Sequence, residues 1–415
     1  TGERRHDLKR RVVITGRGLV SSLGHAPEAA FNRLKRYENC VEVSSELAAI
    51  GNMQTRLWAP CRFEKPAEYT RKVIRTMSPV SIMALYATER ALEDAGLKDT
   101  PLVKSGRLGV AYGSCSGGVE ACADFFSIVK DRIVRNVTSS TYIRMMPQTC
   151  AVNLSVHFGT TGRLLPTGTA CTSGSLAIGE AYEAIAGGKQ DAMIAGGAEE
   201  FSVTQVAVFD TLFSTSRRND APKTTPRAFD VTRDGLVIGD GAATLVLEER
   251  EHALARGAKI YAEIAGFGTN TDGRHVTQPN ADTMALALAL ALEDAGIGPD
   301  AIGYVNAHGT ATELGDIAEG TAMAKVFGAC RPPVSTLKSY TGHTLGACGA
   351  LEAILSVEMM NADWFSPNLN LTEPDPRCGD HDFIVGEGRK KTTDHVMSNN
   401  FAFGGVNTSL VFKRA

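Results

Sequence analysis

Three windows of this 415-residue chain carry side chains whose type and setting could do chemistry. Cys171 lies in Gly168-Thr169-Ala170-Cys171-Thr172-Ser173-Gly174, between an extended segment and a helix rich in small residues. A cysteine at a helix start meets the positive end of the backbone dipole and unpaired N–H groups, which favour its thiolate. Small neighbours leave room for a substrate carbonyl to reach the sulfur. Alone, the window fits a nucleophile and a buried structural thiol equally. His308 follows a strand in Val305-Asn306-Ala307-His308-Gly309, and His343 precedes a helix in Lys338-Ser339-Tyr340-Thr341-Gly342-His343. One such histidine is ordinarily structural; two, each beside glycine at an element end, point to a site. The other seven histidines lack that context. A glycine turn, Asn399 to Asn407, could offer backbone N–H groups to an oxyanion, or be a plain hairpin turn. If Cys171 is a nucleophile, the chemistry open to it is attack of its sulfur on a substrate carbonyl.

These residues need a scaffold, and a repeat outlines one. Ala91-Leu92-Glu93-Asp94-Ala95-Gly96 recurs as Ala291-Leu292-Glu293-Asp294-Ala295-Gly296, each copy closing a helical pattern with glycine at the stop. A linker and a strand follow each: Leu108–Tyr112 in the first copy, Ile302–Val305 in the second. Short apolar runs at 11–16, 191–196, 242–247 and 409–412 read as further strands, and 173–185 and 346–360 as buried helices. Gly196-Gly197 and Gly239-Asp240-Gly241 read as turns. Alternation of this kind predicts mixed α/β layers in two duplicated halves, residues 11–257 and 258–413.

Composition removes other classes. Lys plus Arg is 43 and Asp plus Glu 46, a net charge of −3, so a bulk basic field for nucleic acid is not expected. The longest apolar stretch, Met284–Leu292, is too short to cross a bilayer, no charged-then-apolar leader opens the chain, and residues 1–9 receive no functional weight. Nine cysteines without CxxC spacing predict reduced thiols and a cytoplasmic setting rather than disulfides or zinc. No P-loop or GxGxxG after the first strand supports a nucleotide site.

From about residue 11 to 413 the chain resembles the β-ketoacyl-acyl-carrier-protein synthases of the thiolase superfamily, nearest the synthase II type. The resemblance rests on TACTSG around Cys171, VNAHGTAT around His308, STLKSYTGH ending at His343 and FAFGGVN from Phe401, with DGLVIGDGA (234–242) and MIAGGAEE (193–200) in support. It implies a thiolase-like five-layer αβαβα sandwich of two halves and a homodimer, or a heterodimer with a related subunit. It also implies acyl transfer from a carrier protein to Cys171, then decarboxylating condensation with malonyl-carrier protein, extending the chain by two carbons. No cofactor is required. His308 and His343 match the enolate-stabilising pair, and Lys338 the family lysine, paired with Glu352. The N–H groups of Cys171 and Phe403 match the oxyanion hole, and Phe403 the gate for malonyl groups. Thr310 and Thr312 match threonines that bind the pantetheine arm; Ser116, Met146, Phe401 and Asn407 join the substrate-binding set. Asn306, Glu352, Ser398 and Asn399 resemble a structural site for a monovalent or divalent cation. Arg71, Lys72 and Arg75 fall where relatives dock acidic carrier proteins.

Departures bear on the substrate. Cys115-Ser116-Gly117-Gly118 stands where the elongation enzyme reads Gly-Ile-Gly-Gly, Met145-Met146 where relatives often have Phe-Val, and Ala402 and Val406 where the turn usually has glycine and threonine. The expectation is a wider, more polar acyl tunnel, a gating turn restricted by Ala402, and a specialised synthase for unsaturated or polyene-type chains. The weighed alternatives are a thiolase, with Cys378 as its only candidate second cysteine, a non-catalytic chain-length-factor-like partner, and a cysteine hydrolase.

Overall fold

The computed structural model describes residues 9–415; His6 and most of the segment given no functional weight lie outside the described residues. Ten strands form the main sheet: β1 (Val12–Val20), β2 (Leu108–Gly113), β3 (Leu164–Thr167), β4 (Ala192–Glu199), β5 (Gly241–Glu249), β6 (Ala262–Thr271), β7 (Tyr304–Asn306), β8 (Val334–Ser335), β9 (His395–Phe401) and β10 (Val406–Lys413). Their spatial order is β8-β7-β9-β10-β6-β1-β5-β4-β2-β3. Counted within each half, both sets of five run third, second, fourth, fifth, first. The directions match as well: the second strand is parallel to the third and fourth, and the fifth is antiparallel to the fourth and first. Short pairing of Val12–Ile14 with Ala262–Ile264 joins the halves at β1 and β6.

Eight helices matter for the site: α1 (Pro79–Asp94), α2 (Val119–Asp131), α3 (Ser139–Met145), α4 (Ser173–Ala186), α5 (Val203–Thr211), α6 (Ala281–Ala295), α7 (Glu313–Phe327) and α8 (Cys348–Asn361). Helices α4 and α8 pack on each other between the two sets of strands, while α1 and α6 cover the outer faces. This is the five-layer αβαβα arrangement of the thiolase-like fold.

The packing explains the repeat. Ala87, Ala91 and Ala95 of the first copy lie on Gly16 and Gly18 so closely that a Cβ at Gly16 would stand 2.1 Å from the Ala91 carbonyl. In the second copy Ala287, Ala291 and Ala295 lie on Gly266 and Gly268, where a Cβ at Gly268 would stand 2.1 Å from the Ala287 carbonyl. The repeat's aspartate closes each contact. Asp94 accepts the Arg17 N–H (2.9 Å) and the Tyr261 hydroxyl (2.6 Å); Asp294 accepts the Phe267 N–H (3.0 Å) and the Tyr182 hydroxyl (2.9 Å). In each half the N–H comes from the residue between the two glycines.

Two expectations are corrected. Gly239-Asp240-Gly241 is not a turn, since Gly239 ends the short strand Ile238–Gly239 and Gly241 opens β5. Gly196 and Gly197 are not a turn but lie within β4, because neighbouring backbone leaves no space for a side chain: Cβ atoms there would be 2.1 Å from the carbonyls of Ala243 and Gly346. Met284–Leu292 lies inside the half-buried α6, and among the described residues no helix is long and apolar enough to cross a membrane. All nine cysteines are unpaired.

Candidate active site

Cys171 sits in a one-turn 3-10 segment, Ala170–Thr172, that leads from β3 into α4. Ala170 is left-handed (φ 51°), a strained backbone for a residue with a Cβ. Hydroxyls hold it: Ser173 Oγ donates to the Ala170 carbonyl (2.7 Å) and accepts the Thr169 N–H (3.0 Å), and Thr172 Oγ1 donates to the Thr169 carbonyl (2.8 Å). The sulfur is nearly enclosed, at 5% exposure. Burial pushes the thiol up to about 11, against the opposing pull of the Lys338 charge and of the N–H groups of Phe403 and Cys171. The expected thiolate is therefore corrected: loss of solvation outweighs the helix terminus, and the resting group is a thiol.

His343 contacts that sulfur directly, and a ring nitrogen of His308 lies within 4.8 Å of it. His343 Nε2 is 3.1 Å from Cys171 Sγ, and His343 Nδ1 accepts the Leu345 N–H (3.3 Å). His308 Nδ1 faces Lys338 Nζ (3.1 Å) and Asn400 Nδ2 (3.3 Å), two groups with only protons to offer. In both rings Nδ1 is thus the acceptor and Nε2 carries the proton. The rings stand 5.2 Å apart, edge to face. Burial, then the Lys338 charge, holds both well below the usual histidine range, so they stay neutral. One ligating atom from each of Cys171, His308 and His343 lies within 4.8 Å of the others. The adjacent ammonium and the two N–H-bearing nitrogens make this trio a poor cation site.

The supporting side chains are buried. Lys338, 1% exposed, pairs with Glu352 Oε1 at 2.5 Å, and Asn400 donates to Glu352 Oε2 at 2.7 Å. Burial works against the Lys338 charge, but Glu352 overrides it and keeps the lysine protonated. Glu319 accepts the N–H groups of His308 (2.7 Å) and Gly309 (2.8 Å), and burial pushes its carboxyl up to about 8. Neither Glu319 nor Asn400 stood out in the sequence; the one available signal was the polar pair Asn399-Asn400 inside a strand. Glu199, within the MIAGGAEE block, accepts the N–H groups of Cys115 (2.7 Å) and Gly346 (3.1 Å) and ties the two halves together behind the nucleophile.

The glycine turn connects β9 and β10. Its left-handed positions are Gly404 (φ 88°) and Gly405 (φ 75°). Ala402 is not among the left-handed residues, so the turn as it stands accommodates its Cβ. Phe403 packs its ring 5.2 Å from that of Phe209.

A cavity of about 480 Å³ opens onto Cys171, His308, His343 and Phe403. Thr310, Thr312, Phe401 and Asn407 also line it. The hydroxyls of Thr310 and Thr312 are 2.9 Å apart, and the Asn407 amide is taken up by Asn270 (2.9 Å) and Asp272 (2.8 Å). Ser116 and Met146 lie outside that lining. Ser116 Oγ accepts from Gln205 (3.1 Å), and the Met146 carbonyl closes over Gly117, where a Cβ would be 2.5 Å away. Cys378 is buried in a turn against Gly320 and does not reach the cavity. Arg71, Lys72 and Arg75 are exposed on a run of turns and form no ion pair among the described residues. At the expected cation site Asn306 Nδ2 donates to Ser398 Oγ (3.1 Å), and Asn306 Oδ1 is buried without a donor. That bare oxygen beside Glu352 and Ser398 fits a hard cation. Asn399, whose oxygen takes the Ser409 hydroxyl (2.8 Å), presents its unpartnered nitrogen instead.

Two similar halves, one presenting a buried thiol and the other two neutral imidazoles, define an acyl-transferring enzyme of the thiolase-like fold. Comparison with known proteins narrows the class. Residues 9–253 match the family model for the β-ketoacyl synthase N-terminal domain, and residues 261–372 that for its C-terminal domain. The chain belongs to the β-ketoacyl synthase family. It is 40% identical to 3-oxoacyl-[acyl-carrier-protein] synthase 2 of Vibrio cholerae over 98% of this chain and 99% of the relative. Among solved structures it resembles a β-ketoacyl synthase from Burkholderia phymatum (55% identity, TM-score 0.96, 98% of this chain and 100% of the other). It also resembles AntDE:AntF, a type II polyketide synthase acyl-carrier protein in complex with its ketosynthase bound to the hexaketide (28% identity, TM-score 0.87, 98% and 100% covered).

Proposed function

We propose that the protein is a β-ketoacyl-acyl-carrier-protein synthase of the synthase II kind. Cys171 takes the acyl group from a carrier-protein thioester: a new S–C bond forms, the carrier's pantetheine thiol leaves with a proton, and the N–H groups of Cys171 and Phe403 receive the oxyanion. Malonyl-carrier protein then loses carbon dioxide. The electron pair left behind forms an enolate, whose oxygen the Nε2–H groups of His308 and His343 stabilise. The enolate carbon attacks the acyl-Cys171 carbonyl, the C–S bond breaks, the departing thiolate of Cys171 takes up a proton from solvent, and the β-ketoacyl product is two carbons longer. The observation that carries this reading is the tautomer pattern: both imidazoles have Nδ1 occupied as acceptor, which leaves Nε2 to carry the proton, and each ring has a nitrogen within 4.8 Å of the Cys171 sulfur.

In this reading Lys338 orients His308, Thr310 and Thr312 hold the pantetheine arm, and Phe401, Phe403 and Asn407 shape access to the sulfur. Arg71, Lys72 and Arg75 receive an acidic carrier protein. A structural cation sits against Asn306, Glu352 and Ser398. The chain divides near 257/258 into a half that supplies the nucleophile and a half that supplies the imidazoles. The protein works in the cytoplasm as a dimer formed at the open edge of β3, where Leu164 leaves apolar surface uncovered. Substituting Cys171→Ala tests the chemistry: the variant is expected to form no acyl-enzyme by intact mass while still releasing carbon dioxide from malonyl-carrier protein. Acylation of the variant would overturn the proposal.

A further inference from the structure

Gln205 lies half-buried on α5, next to Val206 and one turn before Phe209. Its neighbours Val206 and Phe209 pack in one cluster with Cys171, Leu345, Phe201 and Cys115, the residue next to Ser116. Gln205 Nε2 donates to both Ser116 Oγ and Glu199 Oε1, each at 3.1 Å. Glu199 settles which way the amide points. Its carboxylate already collects N–H groups, so the Gln205 nitrogen must face it and Oε1 must face away. Gln205 Oε1 is buried there with no donor. Ser116 Oγ accepts from Gln205, and its own proton has no acceptor among the described residues. The pair therefore offers one free acceptor and one free donor, side by side.

The place matters as much as the chemistry. Neither Ser116 nor Gln205 lines the cavity that reaches Cys171 past Thr310, Thr312 and Phe403. On the proposed reading the pantetheine arm fills that cavity, and the acyl group on the sulfur then extends along the apolar cluster that Cys171 shares with Val206, Phe209, Leu345 and Cys115. A plain hydrocarbon chain would leave the buried oxygen unpaired. A hydroxyl, which gives one proton and takes another, satisfies both groups.

Resting on the condensing reading above, the geometry points to Gln205 and Ser116 as a specificity pair that selects acyl chains bearing a hydroxyl group over plain chains of the same length. Sites built to hydrogen-bond a substrate hydroxyl discriminate more strongly than apolar pockets do, so the preference should be at least roughly tenfold.

The test is acylation of Cys171 by pairs of acyl-pantetheine thioesters, a straight chain and its isomers hydroxylated at successive carbons, followed by intact mass. For at least one position the hydroxylated member should react about tenfold faster than the plain chain. Gln205→Met should erase that ratio, and Ser116→Ala should reduce it. Each ratio compares two rates in one enzyme, so a general loss of active protein cancels. A plain chain that reacts as fast at every position, or a ratio unchanged in Gln205→Met, overturns the assignment and leaves the condensing reading standing. If Cys171 accepts no acyl group from any thioester, both fall together.

Discussion

Lys338 Nζ lies 3.1 Å from His308 Nδ1, so a buried ammonium aims a proton at the acceptor nitrogen of a neutral ring. That contact does two things at once. It holds the imidazole in the tautomer that presents Nε2–H to substrate, and its charge discourages the ring from taking a second proton.

Lys338→Met should therefore damage decarboxylation more than acyl transfer. Removing a group that orients a transition-state donor is expected to lower malonyl decarboxylation roughly 10²-fold, while acylation of Cys171 falls less. The variant also leaves Glu352, whose carboxyl burial already pushes up, without its ion-pair partner, at a cost of about 3–5 kcal/mol. Urea unfolding of Lys338→Met against Lys338→Met/Glu352→Gln should recover much of that loss.

The neutral histidines make stability depend on pH. His343 has its folded value depressed by burial and then by Lys338. On acidification through about 6.5 the unfolded chain takes up a proton that the folded chain refuses, and stability falls. Compared with His343→Asn, the wild type should lose about 1.4 kcal/mol for each pH unit below that point. Paired urea titrations between pH 7.5 and 5 would show it, and parallel profiles would contradict it.

A thiol pushed up to about 11 also has a signature in the free enzyme. Iodoacetamide alkylation of Cys171, followed by peptide mass, should keep accelerating beyond pH 9 instead of levelling off near 8. A plateau at neutral pH would mean that the thiolate is already present at rest.

Charge reversal at the exposed basic segment should separate docking from chemistry. Arg71→Glu with Arg75→Glu is expected to lower kcat/KM with carrier-protein substrates roughly tenfold at low salt. The same enzyme should turn over short acyl-pantetheine thioesters like the wild type. Loss of both activities would place these residues elsewhere in the mechanism.

The sequence disclosed what is local. The ALEDAG repeat, the glycine after each strand and the windows around Cys171, His308 and His343 are runs of adjacent residues, and the structure brings the three side chains together as their windows implied. What it concealed is set by burial or by contacts across the chain. The protonation of Cys171 follows from enclosure by both halves, not from its helix start. Glu319 reaches back from within α7 to the His308 backbone, and Asn400 reaches the His308 ring from 92 positions away. Gly196 and Gly197 resemble a turn until the carbonyls of Ala243 and Gly346, distant in sequence, are seen pressing on them.

Each half of the molecule is the same idea of a fold, yet neither owns the reaction. The thiol hangs from the first half and both rings from the second, and they come within reach of one another only where α4 and α8 pack face to face. Turnover thus acts as a gauge of how well that inner seam has closed. Were the chain cut near residue 257 and its two fragments expressed together, catalysis would reappear only as they found each other, making the enzyme its own reporter of complementation.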